Sequence, residues 1–442
     1  MKDNPTRGLM GRLSRLGAVA VGASLLLAAC GGSGGSGSKV TLTLWQNYGT
    51  ESNATATTSL VKAFEKLHPN IQINVVAQPA DNYFALLQAA AISKTGPDLA
   101  VMWTGLFTLQ YDSYLQNLKS YVPQSDLNRM LGMQWVAPGF DTANGAYVIP
   151  LEDQFYIGFY NKSLFAKAGI TQAPQNWSQL TSDCQLFKAM GTSCLYYGAD
   201  SQALGAEFYP YYDLSYLMAG VLSVSQWEDL YSGKTSWTDP TVEAQLTKWA
   251  NLHADGYTNA NVISAGDSLI ALEKGQAAMI VDGNWDTQTL YQSMGSNLGT
   301  FVPPYSDTSI NAVVQYPGDG FSMTTYSQHK TQAAEFLQFL TTTQAAGIVD
   351  QSGLIPDLSG STTNNPVNQD MLNFAAKDGM TPYPMIDNVT TVDVVNAGSK
   401  VLPQLLAGQI SVATAAQDLE QAWQQLPASE RGASWSTYKA SS

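Results

Sequence analysis

The sequence is poor in the residues that carry most metal and nucleophilic chemistry: 3 histidines and 3 cysteines in 442 residues, with no Cys-x-x-Cys and no His-Glu-x-x-His. A zinc centre or a Cys/His catalytic pair has too few ligands to be built, so no metal and no cofactor is expected. Charge is scarce as well, at 13% of residues, and its balance is acidic: 21 basic against 35 acidic residues, a formal net charge of −14. Phosphate backbones need clustered positive charge, which excludes nucleic acid as a partner. No glycine-rich phosphate-binding motif follows a predicted strand, so a nucleotide is not the expected occupant and the chain has no ATPase site of its own. Long apolar runs are missing too, since none reaches the roughly 20 residues of a membrane span.

What the chain does have is 45% hydrophobic residues and an aromatic supply of 10 Trp, 22 Tyr and 14 Phe, enough for one large domain or, at this length, two lobes. Lys2, Arg7, Arg12 and Arg15 precede an uncharged stretch from Leu16 to Ala29, the pattern of a secretory signal over residues 1–29. Leu27-Ala28-Ala29-Cys30 resembles a bacterial lipobox, which predicts cleavage before Cys30 and a lipid anchor on that cysteine. The protein is then held on the outer face of the cytoplasmic membrane by lipid alone. Residues 30–38 supply the anchor and a Gly/Ser tether reaching about 15 Å. Cys184 and Cys194, with nine residues between them, face an oxidising compartment, and the predicted helix stop at Gly191 lets the chain fold back. A structural disulfide is expected, the alternative being two separate buried thiols.

From Lys39 the pattern reads strand (Val40 to Leu44), helix (Leu60, Val61, Phe64, Leu67 on one face), strand (Ile71 to Val75), helix (Tyr83, Phe84, Leu87, Ala91) and strand (Leu99 to Trp103). That order predicts an open, mostly parallel α/β sheet with right-handed crossovers and a ligand crevice at the carboxyl ends of the strands. The pattern restarts after Pro150 with a strand from Phe155 to Tyr160, so a second lobe begins there. Breakers at Pro303-Pro304 and Ile355-Pro356 supply two further punctuation points. The chain is therefore expected to cross between lobes three times, with residues 39–149 and 305–353 in an N-terminal lobe and 150–304 and 354–442 in a C-terminal lobe.

Five segments, in order, resemble a known family: Trp45 at the end of the first strand; Gly96-Pro97-Asp98-Leu99-Ala100; Tyr160-Asn161-Lys162-Ser163-Leu164-Phe165; Glu273 to Met279 with Gly283 and Trp285; and Gly353-Leu354-Ile355-Pro356. Together, behind a lipobox, they are similar to the extracellular solute-binding proteins of ABC sugar importers, and within these to maltodextrin and trehalose/maltose binders. The resemblance implies a two-lobed clamshell of the type II periplasmic-binding-protein kind, each lobe a mixed sheet flanked by helices, with a three-segment hinge. It implies a monomer that binds a sugar, an oligosaccharide or disaccharide, between its lobes. The loaded protein would deliver that sugar to membrane permease subunits served by a separate cytoplasmic ATPase. It also implies stacking roles for Trp103, Tyr211 and Trp285 and an acidic hydrogen-bonding position at Asp153 or Gln154. The late C-terminal tryptophan of maltodextrin binders has no match in Tyr383-Pro384-Met385-Ile386.

The residues support this chemistry independently. A pyranose offers an apolar face of C–H bonds and a rim of hydroxyls, so it needs flat aromatic faces with amides and carboxylates at the edge. Predicted crevice loops supply Trp45, Tyr48, Trp103, Tyr211 and Trp285 for stacking, and Gln46, Asn47, Asp153, Gln154, Asp282, Asn284 and Asp319 for hydrogen bonds. Tyr83 and Tyr316 read rather as residues that close turns. Two alternatives stay open at this level. One is a binder of a polyol or peptide, and the other is a secreted glycoside-active enzyme using Glu152 with Asp282 as its carboxylate pair.

Overall fold

The computed structural model describes residues 39–198, 213–263, 266–377, 379–428 and 431. The period-two run at Lys39 becomes β1 (Val40–Gln46), in which Leu42, Leu44 and Gln46 are buried and their neighbours less so. Helix α1 (Ser52–Leu67) packs Ala56, Leu60, Val61 and Phe64 into the same core. β2 (Ile71–Ala77), α2 (Tyr83–Ser93) and β3 (Leu99–Met102) follow, and β2 and β3 pair parallel to β1 on its two sides. This is the expected crossover pattern.

Two strands from far along the chain complete the first sheet, whose order is β2-β1-β3-β10-β4: β10 (Gly320–Met323), antiparallel to β3, and β4 (Ile149–Pro150). Helices α4 (Lys330–Leu340) and α5 (Thr343–Gln351) stand beside α1, where Phe64 meets Phe336 edge to face at 5.3 Å.

The spine of the second sheet is β5 (Asp153–Asn161), buried at every position but Tyr160. It pairs antiparallel with β9 (Ala312–Pro317) over Asp153 to Phe155, with β7 (Ala277–Gly283) over Tyr156 to Tyr160, and with β8 (Leu298–Phe301) over Gly158 to Asn161. β6 (Ser193–Leu195) joins β7 and β11 (Thr381–Tyr383) joins β9, both parallel. The fold is thus mixed α/β, two sheets flanked by helices. Cys184, on α3 (Trp177–Ala189), is disulfide-bonded to Cys194 on β6, with both cysteines fully buried and their Cα atoms 4.9 Å apart. The bridge expected from the sequence is present.

One boundary differs from the sequence reading, which puts residues 305–317 with the first lobe. β9 belongs to the second sheet and β10 to the first, so the chain changes sheets at Gly318-Asp319. The Pro303-Pro304 pair ends β8 and turns the chain, Tyr305 N donating to Pro303 O, without leaving the lobe. The actual crossing needs a residue without a side chain, because a Cβ on Gly318 would lie 2.4 Å from Gln154 Cγ.

Candidate functional site

The three crossing segments interlock. Leu151 N donates to Asp319 O (2.8 Å), Gly318 N to Glu152 O (2.7 Å) and Asp153 N to Ile355 O (2.8 Å), and Glu152 forms a β-bridge with Pro356. Buried carboxyls gather here: Glu152 and Asp153 from the first crossing, and Asp357 from the third. Glu152 accepts from Asn53 Nδ2 and from Gln154 Nε2 (2.9 Å), and Asp153 accepts from Gln315 Nε2 (2.7 Å). Neither Asp357 oxygen has a hydrogen-bond partner. Burial pushes the Glu152 carboxyl up to about 8 and that of Asp153 up to about 7. Burial, with the Asp153 and Glu152 charges beside it, holds Asp357 well above the usual carboxylate range.

The carboxyl end of β1 delivers Gln46, Asn47 and Tyr48, all buried, to this junction. Gln46 Oε1 accepts from Tyr48 N and fixes the turn. Burial raises the Tyr48 phenol, and the Asp319 and Glu152 charges raise it further; its hydroxyl sits beside Asn53 without a partner in hydrogen-bond geometry. Asn47 Oδ1, Asn53 Oδ1 and Glu152 Oε2 are likewise buried and unpartnered. Polar atoms left in this state in a native fold call for an explanation, and a hydroxyl-rich ligand is one. Trp45 is not part of the cluster: its ring reaches back toward Gly96, 3.7 Å from the Cβ position there. Its backbone carbonyl and that of Val101 receive the Tyr83 hydroxyl (3.2 and 2.9 Å), which ties β1 to β3.

Trp103, half-buried, follows β3, edge-on to Phe84 (4.9 Å) and tilted over Phe107 (4.9 Å). It lines a cavity of about 510 Å³ whose opposite wall is helix α6 (Val392–Leu406), with Asp393, Asn396 and Lys400 facing Asn82 and Gln88 of the α2 side. The loop after Trp103 is anchored through Thr104. Thr104 Oγ1 donates to Pro317 O, while Asn388 Nδ2 donates to Thr104 O (3.3 Å) and Oγ1 (3.0 Å). Gly105, at φ 81°, leaves 2.3 Å between its Cβ position and Asn388 Cα, so only glycine permits this contact.

Trp285, also half-buried, stands on the turn Asn284–Asp286 after β7, edge-on to Tyr156 (5.3 Å), and Tyr156 is edge-on to Tyr316 (6.0 Å). Tyr316 precedes Pro317, the residue that receives Thr104, so the two aromatic groups approach the crossing from opposite sheets. Other sequence candidates have structural work. Asn284 is fully buried and bolts β5 in place, donating to Asp153 O and accepting from Phe155 N, both at 3.1 Å. Asp282 accepts from Gly283 N (2.8 Å), and Gln154 packs on Gly318 while serving Glu152. Tyr211 and Cys30 lie outside the described residues. Asn53, Asp357 and the α6 residues were not foreseen; the α6 set at i, i+3 and i+7 looks in sequence like an ordinary solvated helix face. Among the described residues, no group of three His, Cys, Asp or Glu side chains could hold a metal, and no helix is long and apolar enough to cross a membrane.

The sequence profile of the bacterial extracellular solute-binding proteins matches residues 48–347, and the chain belongs to that family. A putative binding protein of Brucella abortus is 23% identical over 283 residues, covering 63% of this chain and 66% of that protein, just under two thirds of its length. A multiple sugar-binding protein of Streptococcus mutans is 24% identical over 333 residues, 73% of this chain and 76% of that one. A chitin oligosaccharide binding protein shares the fold with a TM-score of 0.76 at 21% identity, over 87% of this chain and 98% of that structure. That family is one of binding proteins of the extracytoplasmic space rather than of enzymes.

Proposed function

We propose that this chain is the sugar-capturing component of an ABC importer, lipid-anchored through Cys30, which passes its cargo to a permease driven by a separate ATPase. In this reading residues 39–151 and 319–353 form one lobe, residues 152–318 and 354 onward form the other, and the interlocked crossings are the hinge. A carbohydrate between them touches both lobes at once, so it binds the closed arrangement more tightly and shifts the hinge toward closure. The observation that carries the proposal is the approach of Trp103 and the Trp285-Tyr156-Tyr316 group from opposite sheets, around buried amide and carboxyl atoms without partners. The named ligands of the Streptococcus relative and of the chitin oligosaccharide binder support carbohydrate as the class.

A thermal-shift screen against mono- and oligosaccharides, with sorbitol and a tripeptide as controls, tests it. A ligand present at 100 times its Kd adds about 2.7 kcal/mol of apparent stability. Stabilisation by a control and by no saccharide would reassign the cargo. Anchoring is tested apart from this: Cys30→Ala is expected to move the protein from membranes to the medium in a bacterial host, and retention through a salt wash would refute the lipid anchor.

A further inference from the structure

The cavity beside Trp103 does not end at helix α6. A second cavity of about 630 Å³ opens on the adjoining side, between α6 and helix α7 (Val412–Gln424), and Asp393, Asn396 and Lys400 line both. The floor of the second cavity is small, with Ala397 and Val401 from α6 and Ala422 from α7. Its far rim is Asp418, Gln421 and Gln425, which stand at i, i+3 and i+7 and face the Asp393, Asn396 and Lys400 row. All six rim residues are exposed. The aromatic wall at Trp103 therefore gives way to a trough with an aliphatic floor and rims of amide, carboxylate and ammonium groups. Each cavity lies within the roughly 300–1,000 Å³ that a drug-sized ligand fills, and the two meet along the shared row Asp393, Asn396 and Lys400.

Resting on the carbohydrate reading, we propose that the binding site is open-ended on the α6 side, so that the cargo is an oligosaccharide whose chain runs from Trp103 over α6 into the α6–α7 trough. One sugar stacks at Trp103, and the following units offer their hydroxyls to the two polar rows and their C–H faces to the alanine floor. Among the described residues no aromatic ring lines the trough, so it contributes hydrogen bonds rather than stacking. It distinguishes chain length without fixing the identity of each unit.

The test is calorimetric titration of the full chain, in detergent, with malto-, xylo- and chito-oligosaccharides of two to six units. It is repeated on Gln421→Ala/Gln425→Ala and on Trp103→Ala. In the series that binds, affinity is expected to rise with length beyond two units and then level off. Loss of two hydrogen-bonding amides should weaken the longest member by about tenfold and leave the two-unit member unchanged. Trp103→Ala should weaken every length alike. Affinity that is flat beyond two units, or an α7 variant that weakens all lengths equally, would overturn the open-ended site while leaving carbohydrate binding intact. Failure of all three series at every length would overturn both readings.

Discussion

Trp103 and Trp285 sit on opposite sheets, and each keeps part of its ring uncovered while an edge-on aromatic neighbour fixes its plane. Removing either ring should cost about 2–4 kcal/mol in sugar binding, as central aromatic anchors do, with Phe costing less than Ala. Fluorescence titration of both variants reads this directly, and unchanged affinity in both would remove them from the site. Asn284 marks where residue-level reading fails. A Gly-Asn-Trp turn in a crevice loop places the amide and the indole side by side in sequence. The backbone sends one inward to hold β5 and leaves the other half-buried against Tyr156. Sequence identifies a residue that can hydrogen-bond but not whether the fold has already engaged it. Trp45 fails the same way, because alternation along β1 puts it on the opposite face from Gln46.

At the scale of elements the sequence is more legible, since periodicity reports directly on what an element buries. The strand-helix-strand-helix-strand run from β1 to β3 is readable because each period is sustained over a full element. β4, of two residues, and β10, of four, have no such run and acquire their places only by pairing with β3 and with each other. The Cys184–Cys194 bridge joins α3 to β6, and neither element carries Trp103 or Trp285. The chain-entropy account gives roughly 2–3 kcal/mol for so small a loop. Reduction is therefore expected to lower the thermal midpoint and leave sugar affinity unchanged. Two reactive thiols in the denatured, unreduced protein would contradict the bridge.

For the whole molecule, buried charge gathers where the three segments cross between the sheets. Glu152 and Asp153 titrate about 8 and about 7, above the ordinary carboxylate range, so the folded state holds protons that the unfolded chain releases. Where the native state binds more protons, stability falls as pH rises. The contribution of these two groups is whole below pH about 4 and is lost as pH climbs through 7 and 8. The thermal midpoint should fall between pH 5 and pH 8.5 by this linkage, and Glu152→Gln, which keeps an accepting oxygen for Asn53 and Gln154, should flatten the fall. A variant with the wild-type slope would clear Glu152 of the effect.

The strand order also governs how the protein can be made. The first sheet begins with β1 near residue 40 but places β10, residues 320–323, between β3 and β4. A chain that has emerged only as far as residue 319 can pair β1 with β2 and β3 but leaves β4 without its neighbour while the second-sheet strands β5 to β9 are made. Pairings across such distances form slowly. The insertion of one late strand therefore makes completion of the first sheet wait for residues 320–323, whatever the early strands have done by then.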